Sequence, residues 1–221
     1  MKKDAALKQR AKRILALLKK AYPNAHCELD YSGTLQLAIA AMLSAQCTDK
    51  RVNVVTPPLF KKYKIAADWA RTDQTTLENE IRSTGFFRNK AKNIRALCAV
   101  LDEKFDGKIP SDFEALITLP GIGRKTANLL MGTGFGKPGM VVDTHCKRVS
   151  LRLGFTKHTD PTKVEFDLRP LVPEKEWNDW SHCMVFHGRY CCHARSPKCH
   201  LCPVSNLCPA YPKLAKPAKR S

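Results

Sequence analysis

LPGIGRKTANLLMGTGFGKPGMVVDTH, residues 119–145, is the stretch on which the reading of this chain turns. Pro120-Gly121-Ile122-Gly123 interrupts two segments whose apolar residues have helical spacing. Glycine tolerates positive φ and lets another backbone approach without interference from a Cβ, so such a turn presents its amides outward. Ahead of it, Ser111 followed by Glu114 has the form of a capping box, with Phe113, Leu116 and Ile117 as an apolar face. Behind it a helix is expected from Arg124, carrying Ala127, Leu129 and Leu130. Unsatisfied amides and the positive dipole end at that helix start favour an anion, and a phosphodiester is the obvious one. On its own, Pro-Gly-x-Gly is also the sequence of an ordinary turn. Two further groups add chemistry. Lys125 falls in the first turn of the second helix, where the dipole and any burial work against its ammonium form, and a neutral lysine is a nucleophile. Asp143, reached through the glycine-rich segment 132–139, puts a carboxylate at the start of a further helix, where it can also serve as N-cap.

Charge narrows the partner. Thirty-eight Lys and Arg against 20 Asp and Glu leave the 221-residue chain at +18, which favours a polyanion. Residues 1–20 carry eight bases and only Asp4, and no acid follows Asp179. Leu7, Ile14, Leu17 and Leu18 share one helical face, so residues 4–20 are expected to dock on the body of the protein. PKLAKPAKRS at the C-terminus reads as a disordered basic tail able to brush phosphates. With 43% hydrophobic residues and no apolar run of about 18 residues, a membrane span is not expected. No signal-peptide pattern leads the sequence, so a cytoplasmic, nucleoid-associated setting is the expectation.

Along the chain the signals are helical. TLQLAIAAMLSA, residues 34–45, is apolar almost all round and reads as a central buried helix, ending in Ser44, Gln46, Thr48 and Asp49. Asp49 is expected to open the next helix, through Val52, Val55 and Leu59, with Pro57-Pro58 bending or ending it. Thr75 and Glu78 form another capping pattern. Gly85-Phe86-Phe87 precedes a helix through Leu101, and of the two aromatics one is expected in the core and one exposed. Asp160-Pro161 carries the Pro-at-N1 signature, and Trp177, Trp180, Val185 and Phe186 mark a buried helix ending near Tyr190. Nowhere is there strand-like alternation, so the class is all-α.

Ten cysteines are divided between two roles. Cys27, Cys47, Cys98, Cys146, Cys183 and Cys191 read as small buried apolar residues. Cys192-x6-Cys199-x2-Cys202-x5-Cys208 instead packs four thiols into 17 residues, too close for independent core positions. Zinc ribbons use two separated C-x2-C knuckles, whereas only one is present; a compact loop of four thiolates suits an iron–sulfur cubane. Cys191 is a rival first ligand. Arg195 and Lys198 lie on the loop that such a cluster would pin, where fixed cations suit phosphate contact.

LPGIGRKTAN, the aspartate of VDTH, the LSAQ-x-TD pattern at Leu43–Asp49 and the C-terminal cysteines together closely resemble endonuclease III, the helix-hairpin-helix DNA glycosylase family, over nearly the whole chain. The resemblance implies two helical domains: residues 27–137 as a six-helix domain with the hairpin, and 1–26 with 138–221 as the cluster domain. It implies a 4Fe-4S cluster on Cys192, Cys199, Cys202 and Cys208. Lys125 and Asp143 would face each other across the interdomain cleft as the catalytic pair. Gln46 would enter the space left by an extruded nucleotide, and Phe86 would wedge the opposite strand. Gly121, Gly123, Arg124 and His145 would add DNA contacts, His145 as a phosphate contact or a partner of Asp143. The implied activity is a bifunctional DNA glycosylase and AP lyase acting, as a monomer, on double-stranded DNA with oxidised pyrimidines or abasic sites. A monofunctional mismatch or adenine glycosylase of the same fold is the nearest alternative, though that branch usually lacks a lysine at the hairpin. A non-catalytic hairpin that only holds DNA is another, and an iron–sulfur redox carrier would leave the charge and Lys125 idle.

Overall fold

Thr34–Leu43 forms helix α2, which buries Leu37, Ala38, Ile39, Ala40, Met42 and Leu43 in the computed structural model of the protein. The structure describes residues 2–215. Among these the chain is all-helical, with no strand, and it divides into two units: Glu28–Gly139, and Met1–Cys27 with Met140–Ser221.

In the first of these units α2 is followed by α3 (Asp49–Lys62), α4 (Ala66–Arg71), α5 (Gln74–Ile81), α6 (Phe87–Lys104), α7 (Phe113–Thr118) and α8 (Arg124–Leu129). Helix α6 packs its Ile94, Leu97, Cys98 and Leu101 face against α4 and α5. Two prolines stand inside α3 and do not end it: the helix runs on to Lys62, because Val52, Thr56 and Leu59 are buried on one face and hold it together against the lost amides. Asp49 opens α3 as expected, with Thr48 as its N-cap. The cap of α5 differs from the one expected: Asp73, not Thr75, accepts the Thr76 amide at 2.9 Å. After α8 the chain widens into a π-helical turn, Leu130–Gly134, and Gly139 closes the unit. A Cβ on Gly139 would lie 2.1 Å from the Asn128 carbonyl, so only glycine fits there.

The second unit assembles α1 (Lys2–Ala21), α9 (Thr144–Arg152), α10 (Pro161–Leu168), α11 (Trp177–Tyr190) and α12 (Tyr211–Leu214). Its core joins Ile14 and Leu18 of α1 to Val149, Val164, Leu168, Trp180 and Met184. The N-terminal helix docks as expected, but on Ala11, Ile14, Leu15 and Leu18; Leu17 is exposed, one step off the buried stripe. On α11 the buried face is Trp180, Ser181, Cys183, Met184 and His187, which leaves Val185 and Phe186 half-buried. Cys98, Cys146, Cys183 and Cys191 are core residues, whereas Cys27 and Cys47 are only half-buried. Pro212–Leu214 belongs to α12 and is not part of a loose tail; residues 216–221 of that expectation lie outside the described residues. No helix of the described residues is long and apolar enough to cross a membrane.

Candidate active site and thiol cluster

The hairpin begins with Asp112, which caps α7 by accepting the Ala115 amide at 2.8 Å. The Ser111/Glu114 box is therefore displaced by one residue: an Asx side chain nearer the first turn takes the amide first. Ile122 is buried and anchors the turn, its amide donating to the Leu119 carbonyl at 3.1 Å. Gly121 has φ 75°, and a Cβ there would come within 2.5 Å of Met42 Cε, a movable side-chain end, and 3.0 Å of Asn93 Cβ. Gly123 is the N-cap of α8, with φ −87° and open space where a Cβ would be. No side chain caps the start of α8, the kind of helix terminus that can receive a ligand's acceptor atoms. Arg124 lays its guanidinium over the Phe113 ring at 4.9 Å, joining the two hairpin helices. Lys125 is in the first turn of α8, where the sequence places it, and is exposed.

Two exposed side chains accompany the hairpin in the same unit. Gln46, beyond the end of α2, has φ 52°, and Phe86, just before α6, has φ 49°. Left-handed backbone costs a non-glycine residue about 1–2 kcal/mol, and such residues cluster where a side chain must be aimed. Phe86 is 62% exposed, whereas Phe87 is half-buried between the guanidinium groups of Arg82 and Arg88. Phe86 is thus the exposed aromatic of the pair, while Phe87 is half-buried and does not reach the core. Gln46, Phe86 and Gly121 line a single pocket with Met42, Asn89 and Asn93. The structure thus brings together three residues far apart in sequence, and adds two side-chain amides that sequence reasoning alone misses. Asn89 and Asn93 share a face of α6 at i,i+4, the one signal that could have paired them.

In the other unit Asp143 is the N-cap of α9, its Oδ1 accepting the Cys146 amide at 2.7 Å. His145 Nδ1 lies 3.2 Å from an Arg148 nitrogen, and Gly188 leaves room for the ring: a Cβ there would be 2.7 Å from His145 Cβ. The structure therefore pairs His145 with Arg148. Cys192, Cys199, Cys202 and Cys208 line one pocket, walled by Val149, Leu153, Val204 and Leu214 and shared with Cys191 and His187. Arg148 donates to the Cys192 carbonyl at 3.1 and 3.2 Å, and Arg152 reaches the Cys192 Sγ at 3.2 Å and the His193 carbonyl at 2.6 Å. Burial pushes the Cys202 thiol up to about 12 and raises Cys199 and Cys208, so a cation must displace protons to bind. Four thiols in an apolar chamber with guanidinium groups at the rim fit an iron–sulfur cluster. His187, Cys191 and Cys202 have ligand atoms within 4.8 Å of one another, so Cys191 remains close to the set. Arg195 and Lys198 are exposed on the loop between the first two cysteines.

A profile of the HhH-GPD superfamily of base excision DNA repair proteins matches residues 39–174, and one of the iron-sulfur binding domain of endonuclease III matches residues 192–208. Endonuclease III of Synechocystis sp. is 51% identical over 95% of this chain and 96% of its own length. Two solved structures are similar throughout. A non-covalent endonuclease III–DNA complex has a TM-score of 0.89 and 47% identity, covering 93% of this chain and 97% of that one. A trapped covalent endonuclease III–DNA intermediate has 0.90 and 46%, covering 95% and 99%.

Proposed function

From the premise that the chain belongs to the HhH-GPD superfamily of base excision DNA repair proteins, and within it to the endonuclease III family, we propose that Lys125 is its nucleophile. The protein is a DNA-binding base excision repair enzyme, a DNA glycosylase and AP lyase, and its C-terminal loop is an iron–sulfur domain for a 4Fe-4S cluster. The observation that carries the assignment is the hairpin itself, an uncapped helix start with an exposed lysine in its first turn. Backbone amides after Gly121 and Gly123 hold phosphates, and Arg124 adds a charge beside them.

A damaged base is rotated out of the duplex, with Gln46 entering the vacated stack and Phe86 wedging the other strand. The Lys125 amine attacks C1′ of the deoxyribose, the glycosidic C1′–N bond breaks and the base leaves with a proton. The C1′–O4′ bond then opens, O4′ taking up a proton, and the iminium so formed acidifies the C2′ proton. Its removal breaks the C3′–O bond by β-elimination, and water then releases the sugar fragment from the lysine. Asp143 accepts the proton that Lys125 sheds, or stabilises positive charge on the sugar as the glycosidic bond breaks. His145 contributes through Arg148, and Arg195 and Lys198 contact phosphates. When bound, the cluster supplies a rigid crosslink among Cys192, Cys199, Cys202 and Cys208. That role fits a loop whose outward groups are cations. The substrates are oxidised or saturated pyrimidines and abasic sites in double-stranded DNA, and the enzyme works as a cytoplasmic monomer.

Borohydride reduction in the presence of an abasic duplex tests the assignment. The wild-type chain is trapped as a covalent complex and Lys125→Ala is not; undiminished trapping of the variant would remove Lys125 from the chemistry.

A further inference from the structure

Lys90 is the one buried lysine among the described residues, only 6% exposed although it lies in the first turn of α6 directly after the exposed Arg88 and Asn89. Its Nζ donates to two backbone carbonyls, Leu43 at 2.8 Å and Thr84 at 2.8 Å. Both acceptors are helix ends: Leu43 is the last residue of α2, and Thr84 the last of the 3-10 turn Arg82–Thr84. Terminal carbonyls have no partner within their own helix and carry the negative end of its dipole, so an ammonium group is well placed on them. Neither acceptor is a carboxylate, and burial lowers the pKa of Lys90 from the usual lysine value, opposed by the nearby Cys47 thiol. A buried cation held only by neutral carbonyls is costly to keep, which points to a role other than plain stability.

The loop beyond each acceptor carries a residue that such a role would serve. Gln46 is three residues past Leu43 and Phe86 two past Thr84, and both have left-handed backbone. We propose that Lys90 is a positioning residue that ties the two loops to one nitrogen and so fixes Gln46 and Phe86 in register for opening the duplex. The inference rests on the reading of those two side chains as inserted fingers. Lys90 touches no reacting atom: its effect falls on duplex opening and leaves the lysine chemistry of α8 alone.

Lys90→Met keeps length and apolar volume but removes both hydrogen bonds; Lys90→Gln is a second variant should Met prevent folding. Each is assayed for nicking at an abasic site in a duplex and at the same site in a single strand, beside Gln46→Ala and Phe86→Ala. A fluorescent 2-aminopurine opposite the lesion reports unstacking directly. The duplex rate of the Lys90 variants falls at least about tenfold, the low side of what a misplaced group costs, with single-strand nicking within about twofold of wild type and a weaker fluorescence rise. Equal losses on both substrates would make Lys90 a plain stability residue and overturn the proposal, as would full duplex activity beside impaired finger variants. Full duplex activity in Gln46→Ala and Phe86→Ala would instead overturn the finger reading, and the strap with it.

Discussion

One oxygen of Asp143 is engaged by its own helix, since Oδ1 accepts the Cys146 amide at 2.7 Å. The same side chain therefore has a structural duty and a proposed chemical one, and substitution can separate them. Asparagine caps about as well as aspartate, whereas alanine costs about 1 kcal/mol of helix-capping stability. Asp143→Asn is expected to melt close to wild type and Asp143→Ala to melt lower, while both lose glycosylase activity on a damaged duplex. Melting curves and a nicking assay on the same preparations check this. Wild-type activity in Asp143→Asn would mean that the charge is not used.

The two hairpin glycines are expected to respond differently to alanine. Gly121 has φ 75°, a backbone that strains any L side chain, whereas Met42 Cε near its Cβ position is a movable side-chain end, so Gly121→Ala should lose about 1–3 kcal/mol in denaturant unfolding. Gly123 has an extended backbone and nothing within 4 Å of its Cβ position, so Gly123→Ala should fold normally. If phosphate comes close to that backbone, the Gly123 variant still loses DNA affinity, read by fluorescence anisotropy. Unchanged affinity would place the phosphate elsewhere.

Much of this is legible in the sequence, for a physical reason: it depends on local chemistry. The hairpin, the Asp160-Pro161 helix start, the buried α2 and the four-cysteine loop each arise from residues close in the chain. Competition between neighbours is harder to read. Ser111 and Thr75 are acceptable caps, but Ser111 stands one residue short of the cap position that Asp112 fills and Thr75 already lies inside the helix that Asp73 caps. Pro57 and Pro58 should bend or stop α3 on local grounds, yet burial of its other residues carries the helix through. Lys90 is least legible, because a base in a basic stretch looks like solvated surface until the Leu43 and Thr84 carbonyls are brought to it.

Arg152 is expected to control how well the thiol loop keeps its cluster. Its guanidinium spans the Cys192 Sγ at 3.2 Å, the His193 carbonyl at 2.6 Å and the Ala194 carbonyl at 2.9 Å, which no shorter or single-point donor can do. Arg152→Ala orphans part-buried acceptors at about 1–3 kcal/mol. The variant should be purified with less iron per chain and should lose its visible absorbance faster to a chelator, with Arg152→Lys only partly restoring both. Wild-type iron content and chelator resistance in Arg152→Ala would rule the role out.

Acid should weaken the unit built on α1 and α11 through His182. Burial lowers its pKa, with Asp179 opposing and His26 adding to the shift. The folded state thus holds the ring neutral at a pH where the unfolded chain, with an ordinary histidine value of ~6.5, already binds a proton. Stability is therefore complete above about pH 6.5 and is lost as pH falls toward the lowered folded value, at no more than ~1.4 kcal/mol per pH unit. His182→Gln removes the titrating ring. Its urea midpoint should fall less than that of wild type between about pH 8 and about pH 5.5, on either side of the ordinary histidine value. Parallel curves for the two proteins would show that other groups carry the acid response.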